Sequence, residues 1–424
     1  MSPSPNHWTR REFLQRTAAF AGGLMCWGHE TTSQGQESQQ EGRKPIASIN
    51  SIYRMRSHAY HIAGRFIHGY DIQGFHHQPA FRIAGMYNDQ YPANDLSRGL
   101  AEKAGYKVSD TVAGALGGNG KVDVEGVLLI IEHGDYPLND LGQIMYPRYE
   151  LFQQVVAAFR QAGHSVPVFV DKHLSYDHRK AAEMVQTARK MGFGLMAGSS
   201  LPVTWRKPEL EPPLGTPFEE AVVCHSGGVE IYGLHGLESL QVMLERRTGG
   251  ETGVKRVRML KGPAVWEAGE RGEWSWTLLR EALSRSPSCN YGDPRDNVET
   301  PYAILVEYLD GTKAAVLNLT EHVSDITFAG RVAGRPAPVS TLFDLPAPPG
   351  AKYFDALTFN IEKLFATGKS PYPVERTLLT STVLDWAMRS LKEQGAWQTS
   401  DTLHVKYEPP QSSGYFRGRY TNAG

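Results

Sequence analysis

The chain reads as an α/β protein, with a doubly wound parallel sheet followed by an α+β domain built on an open, mainly antiparallel sheet. Three observations predict this. Between residues 44 and 200, short β-rich runs alternate with helical patterns, the rhythm of βαβ units. One run, Gly126-Val127-Leu128-Leu129-Ile130-Ile131, is continuously apolar, as a strand covered on both faces must be. After Pro202 the texture changes to a succession of strands, two of them joined through Asp310-Gly311 in a hairpin loop. A length of 424 residues exceeds one ordinary domain, and 41% hydrophobic residues supply a sizeable core.

The elements follow in order. Residues 46–52 are β-rich and bounded by Pro45, residues 81–87 form a second strand, and 96–104 a polar-faced helix. After the apolar strand, residues 149–162 place Leu151, Val155, Val156 and Phe159 on one helical face. A strand at 166–170, a helix at 176–191 and a strand at 193–197 close the first domain, expected over residues 44–200. In the second, expected over 201–393, residues 229–245 read as a helix. Residues 254–259, 303–309, 314–319 and 326–332 read as strands, and 354–367 and 375–391 as closing helices. Residues 394–424 are expected as a C-terminal tail.

Residues 1–43 read as an address and a tether. Thr9-Arg10-Arg11-Glu12-Phe13-Leu14 resembles the twin-arginine export signal. The uncharged stretch 17–28 that follows is far shorter than the roughly 20 apolar residues of a membrane-spanning helix. Residues 29–43 are rich in Ser, Gln, Glu and Gly and cannot bury enough apolar area to order themselves. The expectation is export by the twin-arginine translocase to the periplasm or cell envelope. With 44 Lys+Arg against 45 Asp+Glu, no general attraction to nucleic acid follows. Three cysteines exclude a disulfide scaffold and a cysteine-rich zinc module, and Cys224 and Cys289 read as buried free thiols.

Several motifs carry a family resemblance. Gly163-His164-Ser165-Val166-Pro167-Val168-Phe169-Val170-Asp171-Lys172-His173-Leu174 resembles the "aGkhVfvEKPl" segment of the Gfo/Idh/MocA sugar and inositol oxidoreductases. Tyr232-Gly233-Leu234-His235-Gly236-Leu237-Glu238 falls where that family shows D-x-G-x-H-x-x-D, and Phe365-Ala366-Thr367-Gly368-Lys369 looks like its terminal helix. The resemblance implies a Rossmann-like N-terminal domain binding NAD or NADP, and a sugar or polyol substrate. It also implies Lys172 and His235 as catalytic acid/base groups, and assembly of a homo-oligomer through the C-terminal sheet.

The departures fall on the cofactor and catalytic motifs. The turn after the first strand, residues 50–58, contains no glycine, although a glycine-rich turn is what lets backbone touch a pyrophosphate at a helix N-terminus, so the expectation is an oxidoreductase with divergent or weakened NAD(P) binding. Arg54 and Arg56 are candidate phosphate contacts there, and Asp89 stands where an acid would hold ribose hydroxyls. Ile231 replaces the first acid of the D-x-G-x-H motif and His173 replaces the proline of E-K-P, so a deprotonating His-Asp pair is incomplete. His133, Asp135, Trp205 and Arg206 are candidate substrate contacts.

The histidines support an alternative. His58, His133 and His173 lie just beyond strand ends that converge on one crevice, and His58 and His61 share a helix face. With neutral imidazoles as ligands these four make a candidate divalent-metal set. The alternative function is a metal-assisted carbohydrate lyase or hydrolase, or a carbohydrate-binding protein on the same fold.

Overall fold

The computed structural model describes residues 42–346 and 350–418. The twin-arginine motif and nearly all of the tether lie outside them.

The first part of the chain runs β1 (Lys44–Asn50), α1 (His58–His68), the hairpin β2 (Tyr70–Ile72) and β3 (Phe75–His77), β4 (Phe81–Asn88), α2 (Ser97–Ala104) and β5 (Lys107–Val108). It continues through α3 (Val112–Leu116), the short hairpin β6 (Gly117–Gly118) and β7 (Lys121–Val122), β8 (Val127–Ile130), α4 (Arg148–Ala162), β9 (Val168–Asp171), α5 (His178–Met191) and β10 (Leu195–Gly198). Six strands form one parallel sheet in the order β10-β9-β8-β1-β4-β5. The chain moves outward from β1 to β5, then returns to the other side of β1. The order therefore reverses between β1 and β8, and the loops leaving their C-terminal ends flank a crevice.

Local chemistry sets the helices. Asp177 caps α5 by accepting from the backbone N–H groups of Arg179 and Lys180, and Gly192 ends it with φ 75°. Leu151, Phe152, Val155 and Phe159 of α4 and Met184 and Val185 of α5 pack on one face of the sheet against Ile49, Val127, Leu129 and Val170. The other face carries α1 and a helix from far along the chain, α10 (Tyr353–Thr367), whose Phe354, Leu357 and Ile361 meet Ile46, Leu128 and Phe169.

The second sheet is built from β11 (Trp205–Lys207), β12 (Phe218–His225), β13 (Val254–Lys261), β14 (Tyr302–Tyr308), β15 (Lys313–Asn318), β16 (Ile326–Val332) and β17 (Val339–Asp344), in the order β11-β17-β16-β12-β15-β14-β13. Only β12 and β15 run parallel; the other neighbours are antiparallel. One face packs on α6 (Val229–Leu244) and α11 (Glu375–Lys392). The opposite face is covered by the chain's own α7 (Pro263–Glu270) and α8 (Trp276–Leu283). Val265, Trp274, Leu278 and Leu279 bury Val222, Cys224, Leu305 and Leu317 there, so that apolar surface is already used within one chain. Helix α9 (Pro294–Asn297) completes this region. Neither Cys224 nor Cys289 is in a disulfide; Cys224 is buried and Cys289 half-buried.

Residues after α11 bind back onto the second sheet, with Gln398 paired to Val257 and Tyr407 buried. The tie is ionic at its centre. Arg376 on α11 donates twice to Glu245 (2.8 and 2.6 Å), which also accepts from the Tyr407 hydroxyl (2.9 Å). Removing one partner of a fully buried pair leaves the other charge without compensation. Arg376→Ala is therefore expected to lower unfolding free energy by about 3–5 kcal/mol, read from the urea midpoint; an unchanged midpoint contradicts a stabilising Arg376–Glu245 pair.

Candidate active site

Strand β8 runs into Ile131, Glu132 and His133, and β9 into Lys172 and His173, so polar side chains follow apolar strands at the rim of the crevice. Backbone at both ends is turned into the left-handed region, with φ 70° at His133 and 63° at Lys172. Non-glycine residues rarely sit there, and they do so mainly where surroundings overdetermine them. Here the His133 N–H donates to the Tyr146 hydroxyl (3.2 Å), and the Lys172 N–H donates to the Gly198 carbonyl (3.2 Å).

These turns assemble a buried charge cluster. Glu132, only 3% exposed, accepts from Lys172 Nζ (2.9 Å) on one carboxylate oxygen and from Arg148 Nη2 (2.5 Å) on the other. Ser51, after β1, donates to the Glu132 carbonyl (2.7 Å) and ties the two strand ends together. Arg148 Nη1 also reaches His173 Nε2 (3.4 Å), and His173 lies 3.4 Å from Glu230 on α6. Burial alone would raise the Glu132 carboxyl, yet Lys172 and Arg148 hold it well below the usual carboxylate range.

His235 arrives from α6 and belongs to the same electrostatic cluster. Burial, then the neighbouring Lys172 and His58, push its imidazole well below 6.5. His133 is lowered to about 4, first by burial and then by His58. Both are thus neutral bases near pH 7. Several buried polar atoms here lack a protein partner: Nδ1 of His133, His173 and His235, one oxygen of Asp171 and both of Glu230. Buried polar groups are rarely left so, and together they offer donors and acceptors to a polar ligand.

The structure thus brings Lys172, His235, His133, His173 and His58 together. It also brings in Glu132, Arg148, Asp171 and Glu230. Asp171 and His58 form the carboxylate–imidazole pair that the altered helix motif lacks, with His58 Nδ1 2.7 Å from Asp171 Oδ2. A charged residue closing an otherwise apolar strand was the available signal for Glu132 and Asp171.

Other candidates lie elsewhere or are otherwise engaged. Arg206 is buried and donates to the carbonyls of Pro202 and Leu210 and to the Ser413 hydroxyl, anchoring the C-terminal segment. Trp205 packs edge-on to Phe416 and lines a separate cavity of about 310 Å³. Both follow from β11 being an edge strand paired with β17, directed toward the last residues. Asp135 is exposed and engages Gln90 through its backbone alone. Glu238 accepts from the Ser199 N–H (2.8 Å) and the Thr377 hydroxyl (3.3 Å), and burial pushes its carboxyl up to about 7.

The four histidines proposed for a metal do not converge as ligands. His61 stacks on Phe354 with centroids 5.2 Å apart, and the Arg148 guanidinium beside His173 opposes a cation. Among the described residues, the one gathering of metal-type ligand atoms within 4.8 Å is Asp177, His178 and Asp385. Its Asp385 already accepts from His178 and Arg389.

The residues of the β1 turn do not fit a dinucleotide in the manner of a glycine-rich cradle. Ile52 and Tyr53 are buried in the turn, and the Ser57 hydroxyl accepts from the N–H groups of Tyr60 (3.1 Å) and Arg54 (3.3 Å) at the start of α1. The Arg54 guanidinium donates to the Met55 carbonyl, and Arg56 is exposed with φ 64°. Asp89, the candidate ribose acid, already accepts from the hydroxyls of Tyr87 (3.1 Å) and Tyr136 (2.8 Å).

No protein-family model matches the sequence, and no curated protein matches it. Solved structures match the fold. GenD2 from gentamicin A biosynthesis, in complex with NAD, aligns with TM-score 0.55 and 14% identity over 89% of this chain and 99% of its own. Myo-inositol 2-dehydrogenase from Lactobacillus plantarum aligns with TM-score 0.51 and 10% identity over 84% and 99%. Apo scyllo-inositol dehydrogenase from Lactobacillus casei aligns with TM-score 0.50 and 10% identity over 84% and 98%. At such identities the likeness establishes a shared fold.

The buried histidines set a pH dependence. His61, His133 and His225 are lowered from 6.5 to about 4, chiefly by burial. Between those values the unfolded chain binds more protons than the folded one, so these groups make stability fall as pH drops from 6.5 toward about 4. Glu238, raised to about 7, acts in the opposite sense. Melting temperatures across this window are expected to fall, and to fall less in His225→Asn; an identical slope in that variant contradicts a neutral His225.

Proposed function

We propose that this chain is an enzyme acting on a sugar or polyol, or an oxidised derivative of one, in the crevice between its two sheets. One observation carries this: the end of β9, with Lys172 and His173, is buried against the face of α6 that holds Glu230 and His235, His173 lying 3.4 Å from Glu230 and the Lys172 charge acting on the His235 imidazole. The inositol dehydrogenases that share the fold support the substrate class.

The roles follow from charge state and position. Glu132 keeps the Lys172 ammonium in place as a hydrogen-bond donor to a substrate oxygen. His235, neutral and with Nδ1 unpaired, accepts the proton of a substrate hydroxyl. Arg148 and His173 extend the polar wall, and Glu230 supplies acceptors for neighbouring hydroxyls. No hydride step is assigned, because the chain's own residues do not form the cradle such a step needs.

Two variants test the pairing. Lys172→Met and His235→Asn are each expected to lower turnover on a panel of inositols, aldoses and their oxidised derivatives by about 10²–10⁴-fold, followed by NMR. Wild-type turnover in both contradicts the assignment.

We further propose that the chain is exported through the twin-arginine route, supported by Arg10-Arg11 ahead of Phe13-Leu14. The double substitution Arg10→Lys with Arg11→Lys is expected to retain the protein in the cytoplasm on cell fractionation. Unchanged delivery to the envelope fraction contradicts this.

A further inference from the structure

Two protein links cross the path a dinucleotide would take. The first joins the loop after β8 to the loop after β4. Gln90 Nε2 donates to the Asp135 carbonyl (2.9 Å), the Asp135 N–H donates to Gln90 Oε1 (2.9 Å), and the Tyr136 hydroxyl donates to Asp89 (2.8 Å). Because β1 lies between β8 and β4, this link bridges the strands on either side of the C-terminal end of β1. The second joins the first residue of α1 to the last residue of β9, through His58 and Asp171 (2.7 Å). Because β8 lies between β9 and β1, that link bridges the strands on either side of β8, with the His133 ring 5.3 Å from His58. In this fold a dinucleotide lies across these two strand ends, at the reversal of strand order.

The second link is also a chemical device. Asp171 is fully buried with its Oδ2 against His58 Nδ1, which leaves the Nε2 edge of the ring facing away from the carboxylate. His58 remains partly open to solvent, with its side chain 16% exposed. A carboxylate-held imidazole, with a lysine on the residue that follows that carboxylate, is the equipment for removing a proton next to a carbonyl group.

We propose that this protein works without a nicotinamide dinucleotide, as a redox-neutral proton-transfer catalyst on a keto-sugar or sugar acid, with the His58–Asp171 dyad as its base. This rests on the crevice being a sugar or polyol site. The C–H bond next to the carbonyl breaks, its proton passes to His58 Nε2, and the electron pair moves into the enolate, whose oxygen faces the Lys172 ammonium. Return of a proton to that carbon, from His58 or exchanged with solvent, restores the carbonyl compound without net oxidation. His235 and Glu230 hold neighbouring hydroxyls.

Two measurements on the purified chain test this. Calorimetric titration with NAD⁺ and NADP⁺ is expected to give no saturable binding up to millimolar concentration; a dissociation constant below about 1 mM, a free energy of about −4 kcal/mol, overturns the proposal. Proton NMR in D₂O, with inososes, hexuloses and hexuronates and no nicotinamide added, is expected to show enzyme-dependent exchange of the hydrogen next to the carbonyl. Asp171→Asn and His58→Gln, checked as folded by circular dichroism, are expected to slow exchange by about 10²-fold or more. Absence of exchange across the panel, or exchange unaffected in both folded variants, also overturns it. The two readings fail separately: NAD⁺ reduction by a polyol that is lost in Lys172→Met defeats the dinucleotide-free proposal and upholds the crevice, whereas wild-type exchange in Lys172→Met defeats the crevice assignment.

Discussion

One buried carboxylate organises the crevice. Glu132 is shared between Lys172 and Arg148, and each bond is charge-assisted. Bringing three charged groups out of water costs several kcal/mol per ion unless each finds a well-placed opposite partner. Glu132 meets that condition for both cations, and its backbone is fixed in turn by Ser51. The field of this cluster then acts on its neighbours: together with burial, it leaves His235 and His173 neutral and able to accept protons.

Backbone geometry makes the arrangement available. Left-handed conformations at His133 and Lys172 cost on the order of 1–3 kcal/mol each for non-glycine residues. They also stop two parallel strands abruptly and send the following side chains across the sheet edge. Tyr146 and Gly198 hold the two turns by hydrogen bonds. The strain falls on residues that carry the cluster, the usual location for such a cost when a site must be held ready.

The second sheet supplies the support. Helix α6 is buried along most of its length, packed on that sheet, and it presents Glu230 and His235 from a fixed base. That sheet is covered on both faces, by α6 and α11 on one side and α7 and α8 on the other. Helix α10 crosses back to close the first sheet, so the two halves of the chain share cores as well as a crevice. Arg376, Glu245 and Tyr407 tie the last segment to this body.

Fold class was legible because it depends on local patterns. The apolar run 126–131 announced a doubly covered strand, and the face formed by Leu151, Val155, Val156 and Phe159 announced α4, since burial periodicity is written directly into residue order. Lys172 and His235 were singled out through motif resemblance alone, and the missing glycines of residues 50–58 already marked an altered turn after β1. What residue order did not contain was pairing across long sequence separations. His58 meets Asp171 across 113 positions and Glu132 meets Lys172 across 40, while Trp205 and Arg206 turn toward residues more than 200 positions away. Whether a histidine becomes a metal ligand, a stacked core residue or a carboxylate-held base is decided by the neighbour that folding delivers, and that neighbour comes from another strand end.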